Sequence, residues 1–280
     1  MAEPVFEQYV GLPAPALRDC VGTYAGYRMA GYEPGLHPGL PSRSLTFIVS
    51  FDQPVDLTAM PGSDQPPEAF FSLVGGLHDH AVAIRHDGHQ HGIQLDLTPV
   101  GARRRFGMPA AELASRVVSL PDLLGSLGRE LVDRLSATLD WKARFAILDD
   151  VLVRALHDAD PAQPEVAYAW DRLVGSDGAV AVGAIAKEVG WSRRHLGERF
   201  RGEFGLSPKV MGRIVRFERA NELLTTGPAT LAEVAAVCGF TDQSHMTREW
   251  QALVGQSPGA WLEEVPLPSV QDDLTPAPAG

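Results

Sequence analysis

The chain has 280 residues, 45% of them hydrophobic, and a formal net charge of −11. That length suits two domains of ordinary size, and no apolar run approaches the roughly 18 residues of a membrane-spanning helix. So acidic a chain is excluded as a non-specific nucleic-acid coat, which needs overall positive charge to displace counterions from phosphate. Met1-Ala2-Glu3-Pro4 lacks the basic start and apolar core of a secretion signal. Two cysteines, Cys20 and Cys238, cannot build a disulfide framework. A cytoplasmic location without a membrane partner is the expectation.

Residues 1–108 are rich in Gly and Pro and carry short apolar runs at 45–51, 70–74 and 91–97. The last alternates with period two, and the others have the β-branched and aromatic content of strands. His78, His80, His86, His89 and His91 place five imidazoles in a short stretch. If each pair stood on a strand, His78 and His80 would share a face, as would His89 and His91. Those four are the candidate metal ligands. The competing readings are a surface hairpin turning at Asp87-Gly88, or a ligand cavity lined by His78, Arg85 and aromatic side chains. No cofactor is implied otherwise. Arg103-Arg104-Arg105 is a basic run in an acidic half, either a solvated loop or an anion contact for an effector or for the other domain.

From Pro109 the texture changes, and residues 110–118, 127–139 and 141–156 read as amphipathic helices. Pro121 separates the first two and Asp140 caps the last, at whose head Trp141 reads as core. Residues 157–164 form a polar, proline-bearing linker.

Residues 182–208 and 231–258 then repeat one pattern. Ala186 and Gly190 are followed by Ser192, Leu196, Phe200, Gly205, Ser207 and Pro208. Ala235 and Gly239 are followed by Asp242, Met246, Trp250, Gly255, Ser257 and Pro258. The small residue lets two helices cross closely and the glycine supplies the turn between them. Ser192 and Asp242 are N-caps for a second helix. Leu196, Phe200 and Phe204 form one apolar stripe, and Met246, Trp250 and Val254 repeat it. The outward face of the first copy carries Arg194, Glu198 and Arg201, with Gly197 at its edge, and Arg193 beside it is a further candidate DNA contact. The second presents Ser244, Arg248 and Gln251, with Thr247 at its edge. Such groups suit base edges and phosphates. Between the copies, Ser207-Pro208 opens one long helix that runs to Gly227-Pro228.

Residues from about 166 to 263 resemble the DNA-binding domain of AraC/XylS-type transcription regulators. The telling stretches are Gly190-Trp191-Ser192-Arg193-Arg194-His195-Leu196, Gly205-Leu206-Ser207-Pro208, Gly239-Phe240-Thr241-Asp242-Gln243-Ser244-His245 and Gly255-Gln256-Ser257-Pro258. The resemblance implies seven helices, with base contacts from Arg194, Gly197 and Glu198 in the first unit. In the second it implies Gln243, His245, Thr247 and Arg248. It also implies a cupin-like sensor barrel and a helical dimerisation segment ahead of the DNA-binding domain. Residues 10–155 resemble an uncharacterised N-terminal domain of actinobacterial members of that family.

The fold class expected is α+β. An effector-binding and dimerisation domain would span 1–157, a linker 158–165, the DNA-binding domain 166–265 and a disordered tail 266–280. The function expected is sequence-specific transcription regulation rather than catalysis, with double-stranded DNA, a small-molecule effector, RNA polymerase and a second copy of the chain as partners. The alternative is a metal-dependent cupin-type enzyme with an appended DNA-binding domain. Residues 182–225 hold nine basic against five acidic side chains, whereas 226–265 hold Arg248 alone against five acids. Phosphate affinity is therefore expected mainly from the first unit.

Overall fold

The computed structural model describes residues 4–156 and 159–264, apart from the side chains of Arg104, Arg105 and Glu264. The expected tail and two linker residues, His157 and Asp158, lie outside the described residues.

Among the described residues ten strands form two antiparallel sheets. The larger has the order β1-β2-β9-β4-β7-β10, from Val5–Gly11, Val21–Ala30, Gln90–Leu97, Leu45–Ser50, Ser72–Gly75 and Val117–Ser119. The smaller has the order β3-β8-β5-β6, from Gly35–Gly39, Val82–His86, Val55–Ala59 and Glu68–Phe70. Alternation along the strands of the larger sheet decides what each face meets. Leu45, Phe47 and Val49 of β4 and Ile93, Leu95 and Leu97 of β9 join one buried cluster with the helices that follow. Their neighbours Thr46, Ile48 and Gln94 face the smaller sheet across a cavity.

The helices on the outer face are α1 (Pro99–Phe106), α2 (Leu120–Leu124), α3 (Ser126–Ser136) and α4 (Trp141–Arg154). Leu131 and Leu135 of α3 and Leu148, Val151 and Leu152 of α4 complete the cluster. Asp140 caps α4 by accepting from the Ala143 amide at 2.8 Å. Trp141 is half-buried and stacks on Tyr9 at 4.8 Å.

Residues 110–118 are not the helix their pattern suggests. A short 3-10 turn at Ala110–Leu113 ends at Ser115, whose φ of 55° breaks any helix. The β-branched pair Val117-Val118 then joins the edge of the larger sheet beside β7. Strands extending to about residue 108 are likewise corrected, since β9 ends at Leu97 and α1 follows. Thr98 caps α1 by accepting from the Gly101 amide at 2.9 Å, with Pro99 in its first turn.

Seven helices follow among the described residues: α5 (Pro164–Val174), α6 (Val182–Glu188), α7 (Arg193–Phe204), α8 (Pro208–Thr226), α9 (Leu231–Val237), α10 (Gln243–Val254) and α11 (Pro258–Glu264). They share one core, which also takes in Leu40 and Leu77 from the loops of the β-rich part. The chain is thus α+β, with a β-rich N-terminal part and an all-helical C-terminal part.

The two parts touch through specific polar contacts. Arg103 donates two hydrogen bonds to Glu203, at 2.7 and 2.6 Å. The Ser42 hydroxyl and Arg43 amide both donate to Glu218 of α8 at 2.9 Å. The Ala81 amide donates to the Leu253 carbonyl of α10 at 2.6 Å.

Asp96 of β9 lies close enough to Glu218 and Arg43 to feel both charges. Burial, reinforced by the Glu218 charge and opposed by Arg43, pushes its pKa up to about 7. Unfolded, an aspartate titrates near pH 4, at about 3.9. Between those values the folded chain holds the extra proton, so this contribution is fully present at low pH and is lost as pH rises through about 7. Asp96→Asn should therefore flatten the fall in melting temperature between pH 5 and pH 8. An unchanged slope in thermal melts would contradict the assignment.

Candidate nucleic-acid interface

Each recognition helix is fixed by its own sequence. Ser192 accepts from the His195 amide at 3.1 Å, and Asp242 accepts from the His245 amide at 2.6 Å. Gly190 and Gly239, both with φ of 72°, make the preceding turns in a left-handed conformation that glycine adopts without strain. Leu196, Phe200 and Phe204 anchor α7, and Trp170 of α5 lies 4.5 Å from the Phe204 ring. Met246, Trp250 and Val254 anchor α10, with Trp250 edge-on to Phe217 of α8 at 4.8 Å. The long α8 runs unbroken from Ser207, which caps it, to Thr226.

The sequence-selected residues divide into those that face solvent and those turned back on the protein. Arg194, Glu198, Arg201, Gln243, Ser244 and Arg248 are exposed, and Gly197 and Thr247 are half-exposed. Arg193 is exposed too, yet its guanidinium lies over Gly183 of α6, where an added Cβ would sit 2.6 Å from Nε. His245 points inward: its Nδ1 accepts from the Thr241 amide at 3.2 Å and its Nε2 lies 3.5 Å from Glu249. Arg194 donates to Glu198 at 2.8 Å, which holds the Glu198 carboxyl below its usual range. Any base or phosphate contact by Arg194 competes with that exposed pair, a weak competitor. Glu249 also holds Arg213 and Arg216 at 3.3 and 3.6 Å, taking two cations of α8 out of solution. Arg201 and Arg248 have no ion pair among the described residues.

An alanine Cβ at Gly197 would meet nothing within 4 Å. Gly197→Ala should therefore raise the stability of α7 by about 1 kcal/mol. If this surface enters a groove, the same change should weaken DNA binding severalfold. A melt and a DNA titration read both, and unchanged affinity would place Gly197 outside the contact.

The histidines do not converge, which corrects the paired-strand expectation. His78 and His80 lie in the loop between β7 and β8, because strand pairing stops at Gly75 and resumes at Val82. The His78 Nδ1 bonds the His80 carbonyl at 2.7 Å, and His80 pairs with Asp79. His89 pairs with Asp87 in the turn at Gly88, whose φ is 90°. His91 opens β9 and meets Asp52 at 3.0 Å. Among the described residues no group of three or more His, Cys, Asp or Glu side chains could hold a metal ion.

Of the expected cavity lining, His78 is present and Arg85 is not, since Arg85 is exposed and pairs with Asp56 on the outer face. Arg103 contacts the other part of the chain through Glu203, the reading left open beside a solvated loop. Cys238 is buried, and burial pushes its thiol pKa up to about 11, leaving an unreactive core residue.

Sequence reasoning missed Glu203, Glu218 and Leu253. Glu203 lies in the last turn of α7 and Leu253 in the last turn of α10, so the β-rich part grips both helices at their C-terminal turns. Gly205, just beyond α7, abuts the Ala111–Ala114 segment so closely that an added Cβ would lie 2.1 Å from the Ala114 methyl. The capped N-terminal turns of both helices face away into solvent.

A family model described as a helix-turn-helix domain matches residues 185–264. The HTH-type transcriptional activator RhaR of Pectobacterium atrosepticum is 30% identical over 158 residues, covering 50% of this chain and 56% of that protein. The transcriptional activator NphR of a Rhodococcus species is 31% identical over 155 residues, covering 55% of this chain and 40% of that one. The chain therefore spans about half the length of the curated relatives it matches. ToxT from Vibrio cholerae O395, solved bound to (E)-4-(8-methylnaphthalen-1-yl)but-3-enoic acid, matches in fold with a TM-score of 0.50 and 12% identity, covering 92% of this chain and 98% of that one. Among the described residues no helix is long and apolar enough to cross a membrane.

Proposed function

We propose that the chain is a sequence-specific, ligand-responsive transcription regulator of the AraC/XylS type acting in the cytoplasm, a reading supported by its C-terminal helix-turn-helix domain. The observation that carries this is the pair of equivalent recognition helices, each capped at its exposed end and held at its buried end. The readers are Arg194, Gly197, Glu198 and Arg201 of α7, and Gln243, Ser244, Thr247 and Arg248 of α10. Arg193 and His245 act at the edges of the two surfaces. Two helices joined by a rigid connector suit successive major-groove segments about 34 Å apart.

The effector enters the cavity between the two sheets. Its walls carry the signal directly: Leu40 lines the cavity and packs into the helical core, and His78 lines it beside Leu77, which packs into that core. Ser42, Arg43 and Ala81 extend those two loops onto α8 and α10. Occupancy of the cavity shifts how the two recognition helices are held relative to one another, a population shift between two arrangements. Dimerisation and contact with RNA polymerase belong to the same reading, with α3 and α4 as the surface for a second copy. The separated histidines lend no support to a metal-dependent enzyme, and the division into an effector-binding part, a linker and a DNA-binding part is kept, with α5 opening the last at Pro164.

Binding of the full-length protein to its selected DNA site provides the test. Arg194→Ala and Arg248→Ala should each weaken it roughly tenfold or more while leaving binding to random DNA nearly unchanged. Equal loss on both DNAs would reassign the two arginines to phosphate contacts.

A further inference from the structure

We propose that the cavity between the sheets takes an uncharged, mainly apolar small molecule bearing a carbonyl group, with the Gln94 side-chain amide as its polar anchor. The inference rests on the ligand-responsive reading above and names the class of ligand. About 100 Å³ of the cavity is open to the centre of a water-sized sphere, well beyond the roughly 10–15 Å³ that a single water needs. Met29, Ile48, Leu57, Leu73, Val82 and Ile84 provide most of an apolar wall. No Lys, Arg, Asp or Glu lines it among the described residues.

The two histidines in the wall do not supply charge. Burial brings the pKa of His37 and of His78 down to about 4, so both are neutral at physiological pH. The Nδ1–H of His78 donates to the His80 carbonyl at 2.7 Å, which leaves its Nε2 as an acceptor in the neutral ring. A carboxylate ligand would be desolvated here with no cation to meet it.

Gln94 is one of the polar residues of the wall, with Tyr27, Thr46 and Gln90. It is 5% exposed, and its Nε2 has no hydrogen-bond partner among the described residues. A buried amide left unpaired lowers stability, so its presence calls for a partner that arrives later. A ligand carbonyl oxygen supplies that partner, and the apolar remainder of the ligand fills the space between the sheets.

Calorimetric titration of the full-length chain at pH 7.5 with 2-octanone and with sodium octanoate, two probes of matched length, tests the assignment. The ketone should bind at least tenfold more tightly. Equal or tighter binding of octanoate, or no binding of either probe, would overturn the proposal. Gln94→Leu should weaken the ketone about tenfold and raise the melting temperature of the ligand-free protein by roughly 2–4 °C. A folded Gln94→Leu protein that binds the ketone unchanged would also overturn it. If that variant does not fold, the ketone-to-carboxylate comparison on the native protein still decides. DNA binding without ligand is measured separately, so a failed ligand test leaves the regulator reading standing. Loss of that reading would appear instead as absence of site-specific DNA binding.

Discussion

Trp250→Ala should cost about 3–5 kcal/mol and unfold the second helix-turn-helix unit, the range for truncating a fully buried large aromatic side chain. Trp250 is 2% exposed and edge-on to Phe217, so it ties α10 to the connecting helix α8. Its indole N–H has no partner among the described residues. Trp250→Phe should therefore be far milder, since it keeps a ring against Phe217 and removes an unpaired donor. Thermal melts followed by tryptophan fluorescence and circular dichroism separate the two variants. A Trp250→Ala protein that melts like the native chain and still binds its site would mean that the exposed and buried faces of α10 are wrongly placed.

Glu203→Ala should cost about 3 kcal/mol and loosen the helical part from the β-rich part. Its side chain is largely buried and accepts both hydrogen bonds of the Arg103 fork, the geometry in which removal of one partner strands the other charge. Glu203 stands on the last turn of α7, so the loss falls on the hold over the first recognition helix. Faster protease cleavage between the two parts should accompany the lower melting temperature. Glu203→Gln keeps one acceptor and should fall between the two. If Glu203→Ala leaves stability and cleavage unchanged, the proposed grip on α7 has no energetic weight.

The elements of the helical part were legible because their determinants are local. Ser192, Asp242 and Ser207 are caps, Pro208 opens α8, and the stripes at Leu196/Phe200/Phe204 and Met246/Trp250/Val254 carry helical spacing without reference to any distant residue. The same cap signal, Thr98-Pro99, marks α1, although strand-like sequence runs up to it. The turn at Asp87-Gly88 was also local, but it joins β8 of the smaller sheet to β9 of the larger and closes no hairpin between them.

What escaped depends on contacts between residues far apart in the chain. Val117 and Val118 follow a helix-like run, and only pairing with β7 reveals them as a strand. His78 and His80 alternate as strand residues do, but the sheet ends at Gly75. Arg103 and Glu203 carry no mutual mark in the sequence, nor do Arg43 and Glu218, although these pairs join the two parts. Gln94 was visible as the polar member of an alternating strand, and such a residue ordinarily faces water. Only the smaller sheet, folded over that face, turns it into a buried amide.

Selection of bound duplexes from a random-sequence pool by the full-length chain at low salt tests the central claim most directly. The enriched site should have two parts about one helical turn apart. Arg194→Ala should relax preference in one part and Arg248→Ala in the other. Recovery of no preferred sequence, or of a site whose preference neither substitution alters, would contradict a two-helix reading head.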